Sequence, residues 1–416
     1  MAFAASGMVE APVMGQAEIM RRGASDSGQA ELLFDVTRLA GRLIDGKRPT
    51  GIDRVSLAYL RHFGTGAAAL VRHRGRWVQI RGQAAQRLFD ALCGETETAA
   101  RLVRTLVATN FLAPRRIRQG SILFNTGHSG LDEPSYGAMV RRLGLRPIYF
   151  LHDLIPITHP EYCRAGETAR HEIRLSTMLA TGAGLVVNSE MTARDLTRHA
   201  EERDMKLPPL VVAPLGTEPL PLPAARMPEE APYFVMLGTI EPRKNHLAML
   251  HLWRRMLETN PAETVPALVI IGQRGWECEQ VIDLLERCVV LRGKVRELNG
   301  CDDDTLAAWL AGARALLFPS FVEGFGMPLA EALALGVPAI ASDLPVFREV
   351  AGDIPDYLDP LDGPAWQRRI LDYAMPGSVA RDAQMTRLRH YAAPGWAEHF
   401  RIVGDFLAQL DRGLAA

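Results

Sequence analysis

Short apolar runs alternate with stretches of helical spacing in two successive series, and a proline-dense segment, Pro214–Pro232, separates them. In the first series Glu31–Val36, Ser121–Asn125, Pro147–Leu151, Leu185–Asn188 and Leu210–Ala213 read as strands, with helical patterns such as Arg54–Phe63 and Thr168–Leu179 between them. The second series runs Tyr233–Leu237, a helix from His246, Ala267–Ile271, a helix near Cys278–Cys288, then Ala315–Pro319, Leu329–Leu335 and Pro338–Ala341. Apolar strands joined by helices predict parallel sheets covered on both faces. The expected fold class is therefore α/β, as two doubly wound, Rossmann-like domains facing a central crevice. Such sheets bind ligands outside the carboxyl ends of their strands. The expected division is a loose leader over 1–28, an N-terminal domain over 29–215, a linker over 216–232, a C-terminal domain over 233–395 and a terminal helix over 396–416.

A chain of 416 residues exceeds what one core supports, which agrees with two domains. A composition that is 48% hydrophobic and 23% charged excludes a disordered chain. No apolar run reaches the roughly 20 residues of a membrane span. The Ala/Gly/Met-rich Met1–Ser27 stretch lacks the basic start and long apolar segment of a signal peptide, so the chain is expected in the cytoplasm. Five cysteines with no CxxC pair argue against a disulfide framework or a structural zinc site.

Charge is unevenly placed. Glu31–Leu215 holds 26 Lys+Arg against 18 Asp+Glu, a net +8, whereas Gly216–Ala416 holds 19 against 27, a net −8. The plainer explanation is that the two halves attract each other. The functional one is that the basic half approaches an anionic surface, such as the inner face of the cell membrane or a lipid diphosphate, through Arg115-Arg116-Ile117-Arg118 and Arg141-Arg142 with Arg146. Nucleic acid is not expected as a partner.

Phe318–Glu331, FPSFVEGFGMPLAE, reads as strand, glycine loop and helix N-terminus. Backbone N–H groups converge at such a place and favour anions. The loop nevertheless carries an acid. Glu323 suits a neutral polyol, accepting hydrogen bonds from its hydroxyls, and Glu331 suits vicinal hydroxyls such as those of a ribose. A turn cap and a solvated helix residue are the bland alternatives. After Tyr233–Leu237, the run Gly238-Thr239-Ile240-Glu241-Pro242-Arg243-Lys244 brings a glycine turn and two cations to a helix entrance, an arrangement fit for a departing diphosphate. Without an anion that pair opposes the helix dipole. His152 and Asp153 follow a strand and should face the crevice, although a lone histidine is more often structural. Gly51, within Pro49–Val55, supplies another glycine turn. His128, in Asn125–Gly130, borders the same region or an ordinary loop, and Ser189 is placed to cap the following helix. Asp302-Asp303-Asp304 invites a metal, but helix capping explains it more cheaply.

Taken with Gly336–Ser342 and Phe347-Arg348-Glu349, the Phe318–Glu331 string resembles the nucleotide-binding core of the GT4-type retaining glycosyltransferases, whose fold is GT-B. The G-x(5)-K spacing of Gly238 and Lys244 is a second point of likeness; Thr239 stands where many members carry an arginine. The resemblance implies an acceptor-side first domain, a nucleotide-sugar-binding second domain and a C-terminal helix that crosses back to the first. It implies catalytic roles for Lys244, Arg243, Glu323 and His152, with His152 lining the donor-sugar site more through position than as an acid or base. Gly51, Gly238, Gly324, Phe325, Gly326, Met327, Glu331 and Cys301 would hold the donor, although Asn299 departs from the usual glycine near the base. Asp153, His128 and Ser189 would lie on the acceptor side. No metal or other cofactor is expected. His152–Glu161 looks most like mannosyl- and rhamnosyltransferases of bacterial surface polysaccharide assembly, so GDP-mannose is favoured as donor over dTDP-rhamnose or a UDP-sugar. The acceptor would be a lipid-linked or growing glycan. Another GT-B chemistry, such as an epimerase or phosphorylase, and a non-enzymatic nucleotide- or glycan-binding paralogue remain the alternatives.

Overall fold

The structure is a computed structural model that describes residues 30–94, 98–112, 117–218, 220–222 and 232–415, excepting the side chains of 413–415. The expected leader, Arg115 and Arg116, and much of the proline-dense segment lie outside the described residues.

Two sheets form. The first contains β1 (Leu32–Asp35), β2 (Ala68–His73), β3 (Arg76–Ile80), β4 (Ile122–Asn125), β5 (Arg146–Leu151), β6 (Gly184–Val187) and β7 (Leu210–Val212), in the order β3-β2-β1-β4-β5-β6-β7. All its pairings are parallel except β2 with β3, which closes one edge as an antiparallel hairpin. The second contains β8 (Tyr233–Leu237), β9 (Ala267–Ile271), β10 (Val295–Leu298), β11 (Leu316–Phe318), β12 (Ala339–Ser342) and β13 (Asp356–Leu358), all parallel, in the order β10-β9-β8-β11-β12-β13. Both orders reverse direction beside their first strand. The crevice at that switch point, between β1 and β4 in one domain and β8 and β11 in the other, is where a doubly wound sheet takes ligands. The strand order thus sets the site residues after β8 and β11 next to each other.

Each sheet is packed on both faces. Leu33 and Phe34, adjacent in β1 and pointing to opposite sides, enter different apolar clusters of the first domain, and β8 divides Tyr233 and Phe234 between the two clusters of the second. The C-terminal helix, Trp396–Ala415, places Phe400, Val403 and Phe406 in the first-domain core, so the chain crosses back to the domain it began in. His399 fastens the crossing: Nδ1–H donates to the carbonyl of Pro214 at 3.0 Å, and Nε2 accepts from the Tyr59 hydroxyl at 3.0 Å. Burial lowers its pKa from the usual 6.5 to about 4. Asp302 caps helix Asp303–Gly312 by accepting from the Thr305 N–H at 2.8 Å, which accounts for the acidic run. Among the described residues, no helix is long and apolar enough to cross a membrane, and no group of three or more His, Cys, Asp or Glu is placed to hold a metal ion.

Candidate active site in the interdomain crevice

The loop after β8 turns at Gly238, whose φ of 135° is open to glycine and poor for other residues. A short 3₁₀ turn, Pro242–Lys244, then delivers Arg243 and Lys244 to the switch point before helix His246–Thr259 begins. Lys244 is buried, which an ammonium tolerates only with a close partner. That partner is Glu323. Its Oε1 lies 2.5 Å from Lys244 Nζ and its Oε2 2.5 Å from Arg243 Nη1, while the Ser320 hydroxyl donates to Oε1 at 2.8 Å. Arg243 also reaches Glu241 at 2.5 Å, and Lys244 Nζ sits 4.7 Å from the centre of the Phe318 ring. Burial pushes the Glu323 carboxyl up, but Arg243 and Lys244 outweigh it and bring it down to about 2. For Lys244, burial depresses the ammonium and Glu323 opposes that shift. In this arrangement Glu323 spends both oxygens on holding the two cations, where the sequence led us to expect a carboxylate offered to sugar hydroxyls.

Past Glu323 the glycine loop meets the first domain. A Cβ on Gly324 would lie 2.7 Å from the carbonyl oxygen of His152 and 2.9 Å from Asp153 Cβ, closer than atoms pack. Phe325 enters the first-domain core, and Gly326, at φ 97°, leads into helix Met327–Ala334 with the Phe347 ring against its Cα. Gly51 is not in a turn: it is the first residue of helix Gly51–Phe63, whose Thr50 N–H donates to Asp53 at 2.8 Å. A side chain there would strike the Met327 methyl, 2.8 Å from an added Cβ, so glycine at 51 lets the domains approach. Three residues on, Arg54 Nη1 lies 2.7 Å from Glu331, which is buried. Burial raises the Glu331 carboxyl, and the Arg54 guanidinium only partly counters this.

The first-domain wall is built from three buried histidines. Nε2 of His152 is 2.8 Å from the Thr126 carbonyl, that of His128 is 2.8 Å from the Phe150 carbonyl, and that of His171 is 3.1 Å from the Asp153 carbonyl. A carbonyl only accepts, so each ring carries its proton on Nε2 and donates it there. Burial lowers all three pKa values. His152, His128, Asp153 and Arg243 all line one cavity of about 480 Å³. Met327, Glu331 and Arg54 border a smaller one with Trp396. Ser189 does not line the large cavity. It caps helix Glu190–Glu202, and its hydroxyl lies 3.1 Å from the Gly324 carbonyl, a strut between domains. Cys301 stands apart beside Gly300, whose carbonyl accepts from Arg48 at 2.6 Å. Sequence reasoning missed Arg54, His171 and four of the arginines of the large cavity, Arg38, Arg42, Arg164 and Arg174, because only the fold brings them to the crevice.

Residues 223–354 match the family described as Glycosyl transferases group 1. The matched residues make up most of the second domain. The group 1 match covers the Gly238–Lys244 loop and the whole of Phe318–Glu331. Serotype-specific mannosyltransferase WbdA of Escherichia coli is 33% identical over 232 residues, 51% of this chain and 28% of that protein. O-antigen chain mannosyltransferase B of Escherichia coli is 38% identical over 141 residues, 33% of this chain and 36% of that protein. The matched part is thus less than half of either relative. In overall fold the chain is similar to Anabaena HepE in complex with UDP and glucose, with a TM-score of 0.62 at 13% identity over 92% of this chain and 100% of that one. It is also similar to sucrose-phosphate synthase of Thermosynechococcus elongatus, with a TM-score of 0.59 at 17% identity over 93% of this chain and 100% of that one. The architecture is GT-B.

Proposed function

We propose that this chain is a retaining, metal-independent glycosyltransferase that moves mannose from GDP-mannose to a hydroxyl of a lipid-linked or growing surface glycan. The observation that carries the reading is the convergence of Arg243 and Lys244 on Glu323 at the switch point of a group 1 domain. Two cations held in place beforehand stabilise charge developing on a leaving diphosphate without reorganising during the reaction. The diphosphate would replace Glu323 as their partner, releasing carboxylate oxygens toward the sugar hydroxyls, while Glu331 exchanges Arg54 for the ribose. The neutral His152 ring and Asp153 would wall the sugar from the first-domain side. Asp153 is held by the Ile155 N–H at 3.1 Å, so we assign it positioning, and the acceptor proton to the leaving phosphate in a front-face displacement. Mannose is favoured because two of the relatives matched are named as mannosyltransferases.

Thermal unfolding with GDP, UDP, dTDP and ADP tests the donor half. A ligand at about 100 times its Kd adds roughly 2.7 kcal/mol, so GDP alone should stabilise the wild type and lose that effect in Glu331→Ala. Single-turnover consumption of GDP-mannose should fall by about 10²–10³ in Lys244→Ala. Stabilisation by another diphosphate would replace the donor, and turnover unaffected by Lys244→Ala would remove the lysine from the mechanism.

A further inference from the structure

The large crevice cavity belongs mostly to the first domain; only Arg243 and Trp276 come from the second. Five arginines line it against two carboxylates, Asp153 and Glu167. Three of the five are accounted for. Arg243 is held by Glu323 and Glu241, and Arg38 and Arg42 both lie 2.8 Å from the buried Asp53. Arg164 and Arg174 are not paired so closely. The Arg164 guanidinium stacks on Trp276, 5.0 Å from the ring centre, and has no ion pair among the described residues. Arg174 stands 3.7 Å from Asp132 and 3.6 Å from Glu167, both too long for hydrogen bonds. Its Nε is shut off from solvent and has no hydrogen-bond partner.

Two loosely compensated guanidinium charges lining one cavity favour a closer anionic partner, and a neutral glycan hydroxyl answers them poorly. A planar guanidinium fork matches a carboxylate or a phosphate. The donor diphosphate is already provided for by Arg243 and Lys244 across the crevice. We infer that the glycan unit entering this cavity as acceptor carries an oxyanion, a carboxylate or a phosphate ester, bound by Arg164 and Arg174. The inference rests on the glycosyl-transfer reading for the word acceptor, but not for the binding itself.

Calorimetric titration of the full chain with methyl α-mannoside, mannose 6-phosphate and methyl glucuronide, with and without GDP, tests it. At least one anionic sugar should bind about tenfold or more tighter than methyl α-mannoside, and which one does so identifies the oxyanion. Arg174→Gln should lower that affinity about tenfold and leave methyl α-mannoside and GDP unaffected. Arg164→Gln, which gives up only the stacking on Trp276, should do the same should the first variant fold poorly. Equal binding of neutral and anionic sugars, no anionic binding, or loss shared by both kinds would overturn the inference. GDP on the same sample reports the donor site separately: silent GDP with a bound anionic sugar sinks the transferase reading alone.

Discussion

Glu323 is pulled in opposite directions by its surroundings. Burial disfavours its charge, and two cations at 2.5 Å favour it more strongly, so its folded pKa falls from 4.5 to about 2. An acid with a depressed folded pKa contributes stability that is complete above its unfolded value and disappears as pH falls through the folded one. Glu323→Gln should therefore be less stable than wild type at neutral pH, and urea unfolding should show the gap narrowing between about pH 4.5 and pH 2. A gap independent of pH would mean that the carboxylate does not hold the cations in solution. The glycines and charged residues of this cluster were legible because they lie in two short segments whose spacing is local. Arg54 was not, since its importance comes from Glu331, far along the chain. Arg164 and Arg174 had no signal of their own among the 26 basic residues of Glu31–Leu215.

Elements show the same division between local and tertiary information. β8, β9, β11 and β12 are central strands, buried on both faces, and each appears as an apolar run. β10 (VREL) and β13 (DYL) lie at sheet edges, half exposed, and have no run to betray them. The β2–β3 hairpin mixes apolar with basic residues, so its antiparallel edge was not anticipated. Among loops, the one carrying Gly324 lies directly against the other domain. Its neighbours in the first domain are backbone and a Cβ, which cannot rotate away. Gly324→Ala should consequently part the domains while leaving each folded: small-angle scattering should show an increased radius of gyration, and turnover should drop at least as far as in Lys244→Ala. Unchanged scattering with normal turnover would show that the loop yields without cost.

At the scale of the whole molecule, buried histidines with lowered pKa values recur in both domains and at the crossing helix. His128, His152 and His171 line the crevice, His399 fastens the terminal helix with its pKa at about 4, and His246 opens a second-domain helix with its pKa at about 3. For a base whose folded pKa is depressed, the unfolded chain binds the proton first, so stability is lost as pH falls below the unfolded value near 6.5. Each such histidine contributes a slope of up to about 1.4 kcal/mol per pH unit. Unfolding midpoints should decline steeply from pH 6.5 toward pH 4, and less steeply in His399→Gln. The crevice itself is pinned at several points: Arg54 to Glu331, Arg48 to the Gly300 carbonyl, Ser189 to Gly324, and Glu349 accepting from the Glu190 and Met191 N–H groups at 2.8 and 3.0 Å. On the proposed reading, in which Glu331 takes the ribose, a nucleotide displaces Arg54 and some of these contacts open first, which gates its arrival. In stopped-flow mixing the observed rate of GDP capture should rise with concentration only to a ceiling equal to the frequency of domain opening. Arg54→Gln should lift that ceiling, making the guanidinium a timer of entry.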